Sequence, residues 1–111
     1  MFLLYNKIMK LEEIVNEYIP DNETLENISS FFSLFSDNTR LKIISLLSIS
    51  TLCVSDIAFL LRINQTTISH QLGILRNAKI ISATKSGKKI IYSINNNYVQ
   101  QIIELGLVAL S

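Results

Sequence analysis

The stretch Ser55 to Ala78, SDIAFLLRINQTTISHQLGILRNA, limits what this chain can fold into more than any other, because it reads as two short helices joined by a tight turn. In its second half Ile68, Leu72 and Leu75 fall at i, i+4 and i+7, one apolar stripe that must face a core. The remaining faces carry Gln65, Thr66, Thr67, Ser69, His70 and Gln71, side chains with donors and acceptors and no carboxylate. Such a surface suits a helix whose N-terminal turn lies against base edges and phosphates. Asn64 is placed to cap that helix, leaving first-turn N–H groups directed outward, where an anion is favoured. The preceding helix, about Val54 to Leu61, is expected to hold the second at a fixed angle with Ile57, Ala58, Phe59, Leu60 and Leu61. This is a helix-turn-helix plan.

The residues after Ala78 extend that plan. Ile80 to Thr84 and Lys89 to Ile94 are rich in β-branched residues and flank Lys85-Ser86-Gly87-Lys88, where Gly87 can take the positive φ of a tight hairpin. A hairpin directly after a recognition helix is a wing. Its tip carries Lys85, Lys88 and Lys89, the chemistry for gripping phosphate beside the groove that the helix enters. The expected fold is therefore mostly α with a small β-hairpin wing, a dimeric winged helix-turn-helix of about five to six helices.

Size and hydropathy bear on assembly. With 111 residues the chain is expected to be one domain, 1–111, and 49% hydrophobic residues with only three Gly and one Pro favour a compact helical fold. Mean hydropathy is high at +0.35, yet no apolar run approaches the ~18 residues of a membrane span. The surplus apolar surface is assigned instead to a subunit interface. One cysteine excludes an intramolecular disulfide, and the apolar Met1 to Tyr5 is too short and wrongly flanked for a secretory signal, so a cytoplasmic location is expected. Met9 is an alternative initiator.

A net charge of +1 conceals a strong asymmetry. From Ile57 to Ile103 there are six bases (Arg62, Arg76, Lys79, Lys85, Lys88, Lys89) and no Asp or Glu. From Met1 to Asp56 there are eight acids against four bases. The division coincides with the helix-turn-helix and wing, the footprint of a nucleic-acid face. Gln65, Thr66, Thr67, Ser69, His70, Gln71, Arg76, Lys85, Lys88 and Lys89 are the candidate DNA-binding residues.

Elsewhere the periodicity is helical. Ile8, Leu11, Ile14, Val15 and Tyr18 predict an amphipathic helix over Lys7 to Ile19, ended by Pro20. Asp21 or Asn22 caps a second helix, with Leu25, Ile28, Phe32 and Phe35 on one face. Asp37 caps a third, whose Leu41, Ile43, Ile44, Leu46 and Leu47 pack inside. Arg40 in its first turn runs against the helix dipole and calls for a partner, an acidic side chain within the fold in preference to a DNA phosphate. Ser48 to Leu52 is read as a connector, and Cys53 opens the first helix of the motif with Asp56 at capping-box spacing. After Asn95-Asn96-Asn97, a turn and cap cluster, Val99, Ile102, Ile103, Gly106, Leu107 and Leu110 form a last amphipathic helix. Ile8, Leu11, Val15, Val99, Ile103, Gly106 and Leu110 are the candidate dimer interface, on segments 1–20 and 96–111.

Three signatures in this order resemble the arsenical-resistance and metallothionein repressor family (ArsR/SmtB type), over roughly Phe31 to Leu110. SDNTRL resembles the family's Asp-Pro-Thr-Arg-Leu helix start, with Asn38 in place of proline; SHQL, from Ser69 to Leu72, resembles its recognition helix; and LCVSD resembles its Leu-Cys-Val-Cys-Asp metal loop, with Ser55 at the second cysteine. The resemblance implies a homodimeric repressor, joined through its first and last helices, that binds a palindromic operator in double-stranded DNA and leaves it when an inducer binds. The departures bear on the inducer. Soft-metal sensing at that loop rests on paired thiolates, and Cys53 stands alone. Family zinc and nickel sites use Asp and His pairs on the last helix, where this chain has Asn96 and Tyr98. With one His and one Cys in the chain, no metal and no cofactor are expected, and His70 is read as a DNA-contacting or structural side chain. Cys53 is kept as a possible effector or redox residue, against the plainer reading of a small residue at a helix start.

No residue set for catalysis stands out, so an enzyme is not expected. The rival of another class is a winged helix used for protein interaction, and the acid-free basic face argues against it.

Overall fold

The computed structural model describes every residue, Met1 to Ser111, and the contacts cluster into two units, Met1–Phe32 and Ser33–Ser111.

The first unit holds α1 (Phe2–Tyr18) and almost all of α2 (Asn22–Ser33). Helix α1 begins five residues before the expected Lys7, since nothing in Phe2 to Asn6 breaks a helix. Ile19 closes it by donating its N–H to Val15, and Pro20 cannot continue it. Asp21 caps α2 by accepting from the Thr24 N–H at 2.8 Å. Hydrogen bonds from the Thr24 side chain and backbone hold the Asp21 carboxyl below its ordinary range. Phe31 and Phe32 meet edge to face, with centroids 5.4 Å apart. Phe35 lies beyond the end of α2, in the turn that leads to Asp37, and so is not on its apolar face as expected.

The second unit is the winged helix. Its elements are α3 (Asn38–Ile49), β1 (Leu52–Cys53), α4 (Val54–Leu61), α5 (Gln65–Asn77), β2 (Ile81–Ser86), β3 (Lys89–Ile94) and α6 (Asn97–Leu110). Asp37 caps α3 by accepting from the Arg40 N–H at 3.0 Å. Ile43, Ile44 and Leu47 are buried, whereas Leu41 and Leu46, also expected inside, are only partly covered. Ile68, Leu72 and Leu75 of α5 are buried as their spacing requires, with Ile57 and Ala58 of α4, Ile80 and Ile81 of the wing base and Val99 of α6. Each such aliphatic side chain contributes about 1.5–3 kcal/mol on leaving water, so this small cluster carries much of the stability.

The structure corrects two further expectations. Phe59 is 81% and Leu60 52% exposed, so α4 grips the core through buried Ile57 and Ala58 with Val54 and Leu61 half-buried, because an eight-residue helix turns only one narrow face inward. The connector after α3 also contains a strand: Leu52 pairs with Tyr92 and Cys53 with Ile91, which makes the wing a three-stranded antiparallel sheet ordered β1-β3-β2. The wing register runs from Ile81 opposite Ile94 to Ser86 opposite Lys89. Gly87, at φ +63°, turns the chain in two residues.

Candidate nucleic-acid interface

Helix α5 is fixed from three sides, and each fixture leaves its outer face open. At its start Asn64 accepts the Thr67 N–H at 2.8 Å. Inside, Ile68, Leu72 and Leu75 lock its rotation. At its end the Ile80 N–H donates to Leu75, and Asn95 joins helix to wing: its N–H donates to Ile80, and its side chain donates to the Lys79 carbonyl at 3.0 Å and accepts from Ser82 Oγ at 2.8 Å. Rotation so constrained presents Gln65, Thr66, Ser69 and His70 to solvent along one side, with exposed Arg76 in the last turn. Thr67 is half-buried.

Gln71 departs from its expected role. Its Oε1 accepts from Arg40 Nη1 at 3.1 Å, while Arg40 Nε donates to the Leu34 carbonyl at 2.9 Å and Nη2 to that of Ser33 at 3.3 Å. Gln71 faces the body of the domain, since it sits three residues after buried Ile68 and four before buried Leu75, on the same side of the helix. Arg40 accordingly has partners within the fold, but they are neutral acceptors and not an acid.

Lys85, Lys88 and Lys89 are exposed together at the wing tip, at the end of β2, in the turn and at the start of β3. No carboxylate lies between Ile57 and Ile103, so the exposed face of α5 carries no acid, and the charged side chains of the segments that flank it in the chain, the wing included, are all bases. Fixed, acid-free and flanked by bases, this face can bind a polyanion and offer short polar side chains to base edges.

The family model for the arsR family of bacterial regulatory proteins matches residues 37–83, the segment from the α3 cap to the middle of β2. The cadmium resistance transcriptional regulatory protein CadC of Listeria innocua is 37% identical over 82 residues, covering 73% of this chain and 69% of CadC. This chain belongs to the arsR family. It is, with that family, a DNA-binding transcriptional regulator of winged helix-turn-helix fold. Among solved structures, the AntR antimony-specific transcriptional repressor superposes with a TM-score of 0.75 at 28% identity, covering 83% of this chain and 84% of AntR. A homodimeric winged helix-turn-helix DNA-binding domain from Mycobacterium bovis superposes with a TM-score of 0.73 at 25% identity, covering 82% and 86%.

Two features of this arsR-family chain concern ligands. Cys53 is 4% exposed; its thiol donates to Asp56 Oδ2 at 3.2 Å and lies 3.2 Å from Ser55 Oγ. It is thus more buried than a thiol at a helix mouth need be, because β1 draws it under β3. Nowhere do three His, Cys, Asp or Glu side chains gather closely enough to hold a metal ion.

The interface candidates divide. Ile8, Leu11 and Val15 remain about half exposed along α1, which has no buried residue in the single chain. Ile103, Gly106 and Leu110 line an apolar hollow of about 400 Å³ with Phe35, Leu41 and Leu107. Val99 does not belong with them: it is 0% exposed, because the first turn of α6 packs into its own subunit before the helix emerges.

Proposed function

We propose that this regulator is a homodimeric repressor that works in the cytoplasm, seating two α5 helices in successive major grooves of a palindromic operator while each wing holds the adjacent phosphates. The observation that carries this reading is that α5 and the wing expose polar side chains and bases and no acid. Gln65, Thr66, Ser69 and His70 are assigned to base edges, with Thr67 at the margin of the groove. Arg76, Lys85, Lys88 and Lys89 are assigned to phosphate. Gln71 acts through Arg40 as a positioning residue.

Dimerisation arises from the demands of specificity, since one recognition helix reads few base pairs and two related by a dyad about 34–36 Å apart read a palindrome. The half-exposed apolar residues of α1 and, separately, the open hollow beside α6 each offer apolar surface to a second copy. The similar domain from Mycobacterium bovis is itself described as homodimeric. The reading assigns no catalytic step and no cofactor.

A salt-dependent gel shift on the DNA upstream of the protein's own gene tests it. Lys88→Ala should weaken binding to all sequences alike and lower the salt slope by about 1. Gln65→Ala or Thr66→Ala should cost about 1–3 kcal/mol on the operator and little on random DNA. A salt-independent shift, or none, would favour a protein-interaction module.

A further inference from the structure

Helices α4 and α5 end in the same way. After α4 the Ile63 N–H donates to Ala58 at 3.1 Å and the Arg62 N–H to Phe59 at 3.3 Å; after α5 the Ile80 N–H donates to Leu75 at 3.0 Å and the Lys79 N–H to Arg76 at 3.0 Å. These paired bonds are the Schellman closure, which forces one residue into the left-handed region. In this chain the forced residues are Arg62, at φ +57°, and Lys79, at φ +62°. Glycine is the usual occupant, because any other L residue brings its Cβ against the following carbonyl. The chain does use glycine at its remaining positive φ, Gly87. Neither Arg nor Lys has the short polar side chain by which Asn and Asp ease that conformation.

The chain thus accepts steric strain at two positions, and at both it places an exposed cation. Both flank the same helix: Arg62 lies two residues before the cap Asn64, and Lys79 directly follows the last cap residue, Ala78. We propose that Arg62 and Lys79 are phosphate contacts that bracket the recognition helix, each kept at a glycine position for its charge. The proposal rests on the reading of α5 as the helix that enters the groove. The thirteen residues of α5 span roughly 20 Å at ~1.5 Å each, against a major groove ~12 Å wide. Where α5 crosses the groove, residues just beyond its ends meet the sugar-phosphate rims and not the base edges. Asn95 holds the Lys79 carbonyl, so the position of this cation is set by helix and wing together.

The competing explanation is local. A cation beyond a helix C-terminus is favoured by the dipole, and that would justify both residues through stability alone. Glycine substitution separates the two accounts, because it removes strain and charge at once.

Arg62→Gly, Lys79→Gly, Arg62→Lys and Lys88→Ala should be compared with the wild-type protein on two probes: a duplex that the wild type selects from a random-sequence pool, and an unselected duplex of equal length. Each glycine variant is expected to keep or raise its unfolding midpoint and to lose affinity for both duplexes by the same factor. Its salt slope should fall by about 0.9, so that raising salt from 50 to 200 mM weakens it about 3.5-fold less than the wild type. Arg62→Lys should keep the slope. Unchanged slopes in both glycine variants, with Lys88→Ala lowered, would overturn the proposal and leave the interface reading standing. Unchanged slopes in all the variants would overturn both, and a changed base preference in a glycine variant would show base reading in place of a phosphate contact.

Discussion

Arg40 Nη1 donates to Gln71 Oε1 at 3.1 Å, which ties the first turn of α3 to the middle of the recognition helix α5. The same guanidinium is held by the Leu34 and Ser33 carbonyls, so the turn before α3, the helix itself and α5 meet at one planar group. A fork with fixed donor directions sets the pitch of α5 in a way that a flexible ammonium would not.

This relationship predicts strong coupling between the two side chains. Gln71→Ala and Arg40→Met should each weaken operator binding, and the double variant should be little worse than either, with a coupling of about 1 kcal/mol in a double-mutant cycle. Strict additivity would mean that Gln71 reads DNA directly.

The apolar surface left on α1 and α6 predicts association through those helices. Ile103→Asp places a carboxylate beside the hollow near α6 and should give monomer or aggregate in light scattering. A dimer unchanged at the same concentration would remove α6 from the interface.

Core economy predicts sensitivity to single deletions. Leu75 is 0% exposed and anchors α5 next to the wing base, so Leu75→Ala should lower unfolding free energy by about 2–5 kcal/mol in urea titration. Against a total of roughly 5–15 kcal/mol for a domain, that is a large fraction. A loss under about 1 kcal/mol would show that the site repacks.

For metal response, the similar proteins named for cadmium resistance and for antimony specificity give one expectation and the residues of this chain another. Cys53 is buried, hydrogen-bonded to Asp56, and without a second thiol in the chain. Stoichiometric zinc, cadmium or arsenite should therefore leave the DNA complex intact in a gel shift. Release by cadmium that disappears in Cys53→Ser would show that ligands from elsewhere complete a site.

The sequence by itself determined the elements wherever short-range physics governs. The Ile68, Leu72, Leu75 stripe, the caps at Asp37 and Asn64, and Gly87 between two β-branched runs are each legible within a few residues and stand in the structure as read, while the cap cluster Asn95-Asn96-Asn97 resolves to Asn96. The charge asymmetry was equally plain, since it needs no coordinates. Only the tertiary structure decided what depends on residues far apart in the chain. Leu52 looks like the end of a connector and Cys53 like the start of a helix until Ile91 and Tyr92 are brought beside them, because a strand of two residues has no period to recognise. Val99 and Ile103 share a helical face, yet one is sealed in the subunit and the other opens on a hollow, because the core reaches only the first turn of α6. Arg62 and Lys79 were counted as charges, and their left-handed backbone emerged only once both helices were seen to close by Schellman bonds. Gln71 looked like its polar neighbours on α5 until Arg40, thirty-one positions earlier, was found against it. A side chain's type is written in the sequence, but its partner is set by where the packed helices bring the chain back upon itself.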